Sequence, residues 1–323
     1  MTGNFLGTHQ GKVDFSMLIP VSSSEQSLPL VLEGVRKVFA ENGLSYEFVL
    51  VDDGSPDGVW SVIENEYGKG DVCAISFLRN HGHSVAMKRG LEFCRGEWVV
   101  TMDDDLQHPP SELPKLINAT RESGDMDVIM GSYSAERGEL HRTLGSRLFQ
   151  WVLNWSFDVP EGVTMTSFRA IHRRVVDQLV ARNLSSPHAS IMILSCTDRI
   201  RNIDVERHDR RFGQSGMKLG RSISIIMDNV ILNSEWPLKV IGLGGLAMAG
   251  LAMILAIYYF LKYLVGDIGV SGFTTTVLLI VGFSGVILGA ISVVGLYIMR
   301  LLQQATFTPA YSLRKHLPLD QDT

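Results

Sequence analysis

Three carboxylates stand in a row at Asp103-Asp104-Asp105, directly after the apolar run Trp98–Met102 and before Leu106-Gln107-His108-Pro109-Pro110. If that run is a strand, side chains alternate along it, so Asp103 and Asp105 point to one side and Asp104 points away. Two carboxylates held side by side repel unless a cation lies between them. A hard divalent ion with oxygen ligands, Mg2+ or Mn2+, suits such a pair and can bridge to the oxygens of a diphosphate. A second acidic pair, Asp52-Asp53, ends the run Tyr46–Val51 and is followed by Gly54-Ser55. Acids placed there can accept from ribose hydroxyls or from the N–H of a base. A third cluster, Arg79-Asn80-His81-Gly82-His83, follows Val72–Leu78. Each cluster has a plainer reading: aspartate runs also make solvated turns and calcium loops, and Arg79-Asn80 can be a solvated loop. Their occurrence in order, each after an apolar run, argues for one site.

The elements that must position these clusters follow from the pattern of apolar residues. Strands are expected at Asp14–Ile19, Tyr46–Val51, Val72–Leu78, Trp98–Met102 and Asp127–Met130, with later ones at Phe168–His172 and Ile200–His208. Between them Ser27–Glu41, Asp57–Tyr67, Ser84–Cys94 and Ser111–Ser123 carry helical spacing. Strands alternating with helices of this length predict βαβ units and a mainly parallel sheet, an α/β fold. Ligands of such sheets bind outside the carboxyl ends of the strands, where all three polar clusters fall. Gly138–Phe157 is expected to be a further helix, with Leu140, Leu144, Leu148, Trp151, Val152 and Trp155 as its apolar stripe.

The chain of 323 residues has a net charge of −5, which argues against a nucleic-acid binder with a basic face. Its three cysteines, Cys73, Cys94 and Cys196, have no metal-ligand spacing and suit a reducing compartment better than a disulfide framework. The first residues lack the apolar stretch of a signal peptide, so the part before residue 237 is expected to stay on the cytoplasmic side. Lys218–Leu232 has an amphipathic pattern suited to a membrane interface, with packing into a core as the plainer reading. Val240–Leu261 and Phe273–Met299 are uncharged runs, and about 20 apolar residues suffice to cross the hydrocarbon. Basic residues before the first run and after the second predict a hairpin with both ends cytoplasmic. The expected organisation is a catalytic domain over 1–214, an interface helix over 215–237, two spans within 238–302 and a tail over 303–323.

With these residues in view, the chain resembles family 2 glycosyltransferases that act on polyprenyl phosphate, the group of dolichol-phosphate mannose synthase and bacterial undecaprenyl-phosphate glycosyltransferases. Pro20-Val21 with Glu25 resembles the first-strand motif of that group, although Ser22–Ser24 departs from its usual Tyr and Asn. Val51–Ser55 matches its Asp-Asp-Gly-Ser, Arg79-Asn80-x-Gly82 its helix-start motif, Asp103-x-Asp105 its metal motif, and Gln107 the polar residue after it. The resemblance implies a GT-A domain, Rossmann-like and specific for nucleotide-diphospho-sugars. It places Pro20, Val21, Glu25, Asp52, Asp53, Arg79, Asn80, Gly82, Asp103, Asp104 and Gln107 around the donor, and Asp103 and Asp105 on a Mg2+ or Mn2+ ion. Ser167–Ala170 matches a Ser-x-Phe-Arg-like segment, which makes Arg169 a catalytic candidate. Arg210, Gly213 and Ser215 match an Arg-x-x-Gly-x-Ser loop. Arg137, Arg142, Arg210 and Ser215 are then the candidates for the acceptor phosphate, and Arg210 also for catalysis.

One departure stands out. Where the group often has an aspartate proposed as the base, this chain has Val163, and where others have an acid it has Ser167. A phosphate monoester has a second pKa of about 6, so a polyprenyl phosphate arrives largely ionised and needs no strict general base. The reading is therefore transfer of a sugar from a nucleotide sugar, with UDP the expected nucleotide, to polyprenyl phosphate. The resemblance implies that the transfer is metal-dependent and inverting, at the plasma membrane, and together with the hairpin it is compatible with a homo-oligomer. Two other readings remain open: a processive polysaccharide synthase, against which the missing Gln-x-x-Arg-Trp counts, and a non-catalytic membrane-anchored nucleotide-sugar binder.

Overall fold

The structure, a computed structural model, describes residues 13–122, 124–133, 160, 162–181, 189–208 and 312–319, with scattered positions between 243 and 301. Three apolar runs open the chain as strands: β1 (Phe15–Val21), β2 (Tyr46–Asp52) and β3 (Val72–Phe77). Nearly all of their residues are buried, as expected for strands covered on both faces. Between and after them come α1 (Leu28–Asn42), α2 (Val59–Tyr67), α3 (His83–Leu91) and β4 (Trp98–Thr101). The rest are α4 (Leu113–Glu122), β5 (Val128–Tyr133), β6 (Arg169–His172), α5 (Arg173–Ala181), α6 (Ala189–Leu194), β7 (Ile200–Val205) and β8 (Leu313–Leu317). Within the described residues, the strands and helices read from the pattern are present within a few residues of their expected bounds.

Helix α1 shows how local sequence sets an element. A proline in its first turn starts it, Leu28, Val31, Leu32, Val35, Val38 and Phe39 form its buried stripe, and Gly43 closes it with a left-handed φ of 61°. The Gly43 N–H donates to the Phe39 carbonyl, so an end group of the helix is satisfied.

The strands form one sheet in the order β7-β5-β6-β4-β1-β2-β3-β8. The pairs β1–β2, β1–β4, β2–β3 and β5–β7 are parallel, whereas β6 runs antiparallel to both its neighbours. Alternation along the strands divides the core between the two faces. Met17, Ile19, Phe48 and Leu50 pack with α1, α2 and α4, while Leu18, Val49, Val51 and Ile75 pack with α3, α5 and α6. Each large side chain fully buried in this way contributes about 1.5–3 kcal/mol. Because β1 lies between β2 and β4, the order reverses at the β1–β4 boundary, and the crevice there is where open α/β sheets bind ligands.

The eighth strand was not expected. Leu313–Leu317, read from the sequence as part of a tail, pairs antiparallel with the outer edge of β3. The Leu78 N–H donates to the Ser312 carbonyl, the Tyr67 hydroxyl to the Pro318 carbonyl, and Lys315 Nζ lies 2.8 Å from Glu64 and over the Trp60 ring. The residues up to 217 and from 308 on form one compact unit, and Lys218–Phe307 forms a second. In the second unit the described positions include helical Ile254, Ile257, Ile280, Ile287 and Ile291, all with exposed side chains. Among the described residues no helix is long and apolar enough to cross a membrane. Most of the two apolar runs, the amphipathic segment Lys218–Leu232 and the helix expected over Gly138–Phe157 lie outside the described residues.

Candidate active site

At the carboxyl end of β4 the chain turns through Asp103–His108. Leu106, in the middle of the turn, has a left-handed φ of 62°, and Ser23 in the loop after β1 has one of 54°. Two non-glycine residues in that region at one sheet edge mark a turn held by its surroundings rather than by its own preference. The holding groups are visible. Asp104 Oδ2 accepts from the Ser22 N–H at 2.8 Å, joining this turn to the end of β1. Asp105 Oδ1 accepts from the Gln107 N–H at 3.0 Å. Burial pushes the Asp104 carboxyl up.

Asp103 is gripped from three sides. His83 Nε2 lies 3.1 Å from Oδ1, the Ser167 hydroxyl donates to Oδ2 at 2.9 Å, and His108 Nδ1 stands 3.8 Å from Oδ2. Burial pushes this carboxyl up, but the His83 hydrogen bond, the charges of His108 and His83 and the Ser167 hydroxyl outweigh it. Asp103 is held well below the usual carboxylate range. His108 itself is buried and stacked between Phe168, 5.2 Å away, and Tyr133, 6.0 Å away and nearly parallel. Burial lowers its pKa in spite of the two aspartates.

The two acids after β2 do different work from each other. Asp52 is buried, with Oδ2 accepting from the Ser76 hydroxyl at 2.6 Å and Oδ1 from the Ser55 N–H at 2.9 Å. Asp53 takes the N–H groups of His81 at 2.7 Å and Gly82 at 2.8 Å, one on each carboxylate oxygen. It therefore anchors the Arg79–Gly82 loop, on which Arg79 and Asn80 are exposed. Burial raises the Asp53 pKa against the two N–H donors. Glu25 makes a similar tie, accepting from Gly58 N–H while its own N–H donates to Asp57. Pro20 and Val21 end β1 and are buried beside this cluster. Among the described residues Asp57 Oδ1 and His81 Nε2, both on these loops, are buried without a partner.

Arg169 lies on β6 beside Thr101 of β4 and is almost completely buried. Its guanidinium donates to the Ser190 hydroxyl at 3.2 Å, and among the described residues its Nε has no partner. Burial lowers its pKa to about 10, with Asp103 opposing. Val163, where an acid was looked for, packs against the core on the α3 side, and its N–H donates to the Pro160 carbonyl. Arg137, Arg142, Arg210 and Ser215, and the nearest acids Asp158 and Glu161, lie outside the described residues.

The structure thus brings Asp103, Asp104, Asp105 and Gln107 together with the ends of β1 and β2 and the loop that Asp53 anchors. Three residues near the motif had no assigned role in the sequence reading. Ser167, noted as the start of the Ser-x-Phe-Arg-like segment and as the lack of an acid, holds Asp103. His108 carried no signal beyond its place in the motif. Arg207 lies just past the carboxyl end of β7, and the placement rule for parallel strands pointed there.

Among the described residues no three His, Cys, Asp or Glu side chains converge on a point that could hold a metal alone. A carboxylate pair of this kind fits a divalent ion that takes its remaining oxygens from a diphosphate and from water.

The sequence pattern described as glycosyl transferase family 2 matches residues 16–180. The chain belongs to that family. An undecaprenyl-phosphate 4-deoxy-4-formamido-L-arabinose transferase of Pseudomonas fluorescens is 30% identical over 311 residues, covering 94% of this chain and 90% of that one. The enzyme of the same name from Aeromonas hydrophila is 28% identical over 309 residues, 93% of each chain. Glucosyl-3-phosphoglycerate synthase from Mycobacterium tuberculosis has a similar fold, with a TM-score of 0.50 at 16% identity, over 68% of this chain and 78% of that one. As a family 2 glycosyltransferase the protein is a transferase with a GT-A-like sheet, and the matched residues contain the strand ends and the aspartate motif described above.

Proposed function

We propose that this family 2 glycosyltransferase moves a sugar from a nucleotide-diphosphate sugar, with UDP the expected nucleotide, to polyprenyl phosphate at a membrane. The observation that carries the reading is the Asp103–Asp105 turn at the β1–β4 crevice, with Asp103 kept ionised by His83, His108 and Ser167. The names of the relatives similar over nearly the whole chain support the acceptor. The two uncharged runs and the basic residues around them support a membrane hairpin with both ends cytoplasmic.

The geometry supports the following roles. The loops after β1, β2, β3 and β4 are cross-tied by Glu25, Asp53 and Asp104, so they form a preorganised floor for the nucleotide. Asp103 and Asp105 would hold Mg2+ or Mn2+, which when bound neutralises charge on the diphosphate leaving group. Ser167 and His83 fix the direction of the Asp103 carboxylate. No acid stands at Val163, and the acceptor phosphate is itself ionised near neutral pH, so its oxygen attacks the anomeric carbon without a base at that position. Arg137, Arg142, Arg210 and Ser215 are proposed for the acceptor phosphate, and an inverted anomeric centre is the expected product of one direct displacement.

The test uses purified full chain in detergent with undecaprenyl phosphate, a panel of radiolabelled nucleotide sugars, and Mg2+ or Mn2+. Metal-dependent label in the lipid phase is expected from one donor, and Asp105→Asn should lower it at least about 100-fold. Full activity of that variant would sink the metal assignment, and no label from any donor would sink the acceptor.

A further inference from the structure

The aromatic rings beside the aspartate turn continue beyond His108. Phe168 stacks on His108, His108 lies nearly parallel to Tyr133, and the guanidinium carbon of Arg207 stands 5.2 Å over the Tyr133 ring. The column crosses the sheet edge from the residue before β6, through the turn after β4 and the end of β5, to the residues after β7. It ends on a positive charge.

Arg207 is tied to the aspartate motif by more than this stack. Its guanidinium donates to Gln107 Oε1, and the Gln107 N–H donates to Asp105 Oδ1. The backbone on either side is held too: the His208 N–H donates to the Gln107 carbonyl at 3.0 Å and the Glu206 N–H to Glu112 Oε2 at 2.9 Å. Arg207 is exposed, yet its guanidinium is held by the Tyr133 ring face and the Gln107 amide oxygen, and the two backbone bonds fix the residues on either side of it. Among the described residues it pairs with no carboxylate, and a guanidinium has five N–H donors, so most remain for a ligand.

Charge balance says what that ligand is. Asp103 and Asp105 with one divalent ion sum to no net charge, which leaves the negative charge of a bound diphosphate unmatched. A planar guanidinium next to the pair matches it, with two N–H groups suited to two phosphate oxygens. We infer that Arg207 contacts the diphosphate of the donor and stabilises it as it leaves. This rests on the donor assignment made above and does not involve the Arg210 loop. The Tyr133–His108–Phe168 column serves to aim the group, so Tyr133 is a positioning residue.

The test measures binding of full chain in detergent with Mn2+ by calorimetry. UDP, GDP, ADP, CDP and dTDP are tried first, and the one bound by wild type is compared with its monophosphate. Arg207→Gln should weaken diphosphate binding roughly 10- to 100-fold while changing monophosphate binding less than about 3-fold. Arg207→Lys, which keeps the charge but not the fork, should fall between. A merely structural arginine would weaken both nucleotides alike, and an unchanged diphosphate-to-monophosphate ratio in both variants overturns the inference. If Arg207→Gln does not fold, Arg207→Lys alone decides, by the same ratio. A wild type that binds none of the five overturns the donor assignment, and this inference with it.

Discussion

Gly54 and Gly43 make a matched pair for testing how the site is built. Both have left-handed backbones, with φ of 67° and 61°. Replacing either by alanine costs the conformational penalty of that region, about 1–2 kcal/mol. They differ in space. A Cβ on Gly43 would meet nothing within 4 Å, whereas one on Gly54 would lie 2.6 Å from the Arg79 carbonyl carbon and 2.9 Å from Asn80 N. Those atoms are backbone and cannot rotate away. The loop must retreat by roughly 1 Å, yet Asp53 grips it two residues on through bonds of 2.7 and 2.8 Å. Overpacking of this kind costs about 1–3 kcal/mol, and weakening a hydrogen bond to a carboxylate adds about 1.5. Gly54→Ala should therefore be less stable than Gly43→Ala by about 2.5–4.5 kcal/mol. For a domain of this size that is roughly 5–15 °C in Tm. Thermal unfolding of the full chain followed by tryptophan fluorescence checks it, with the donor KM as second readout. Gly54→Ala alone should raise KM. Equal Tm values for the two variants, with equal KM, would refute the docking of the Arg79–Gly82 loop on the β2 turn.

Two further outcomes follow from groups away from the aspartates. Glu47 is buried and accepts from the Ser16 hydroxyl at 2.6 Å, from Arg95 N–H at 2.6 Å and from Arg95 Nε at 2.7 Å. Glu47→Ala should cost about 3–5 kcal/mol in a urea titration, and a loss under about 1 kcal/mol would mean the network is not sealed from water. Burial lowers the pKa of His172, with Arg174 adding to it, and burial lowers that of His316, with Arg89 adding. The unfolded chain then binds more protons than the folded one as pH falls below about 6.5, so stability drops there and is flat above. The Tm of wild type should fall more between pH 7.5 and 5.5 than that of the His172→Gln/His316→Gln variant, and parallel curves would refute the assignment.

How much was legible in the chain depends on what each residue had to do. Strands β1 to β4 announce themselves because both faces are covered, which forces runs such as Phe48–Val51 to be apolar throughout. The aspartates were found because chemistry of that kind needs carboxylates at a strand end. What Asp52 and Asp53 do with their oxygens was not legible. An aspartate after a strand serves equally as a hydrogen-bond acceptor for its own turn, as Asp52 does for Ser55, and for a distant loop, as Asp53 does for His81. Ser167 and Arg207 were missed because their roles exist only once β6 and β7 have joined the sheet. Strand β8 was missed because Leu-Arg-Lys-His-Leu is mostly exposed and carries no apolar run.

That last strand bears on the order in which the protein is made. β3 lies near the start of the chain, and its outer edge stays open until Leu313–Leu317 arrives, after all of the second unit has been synthesised. Until then the newborn domain exposes Val72–Phe77 as an unpaired apolar edge, the kind of template on which chains aggregate. The closing piece has two lysine or arginine side chains and a histidine among its five residues, so it docks late without being an adhesive strand itself. The sheet is finished by a segment made only after the second unit.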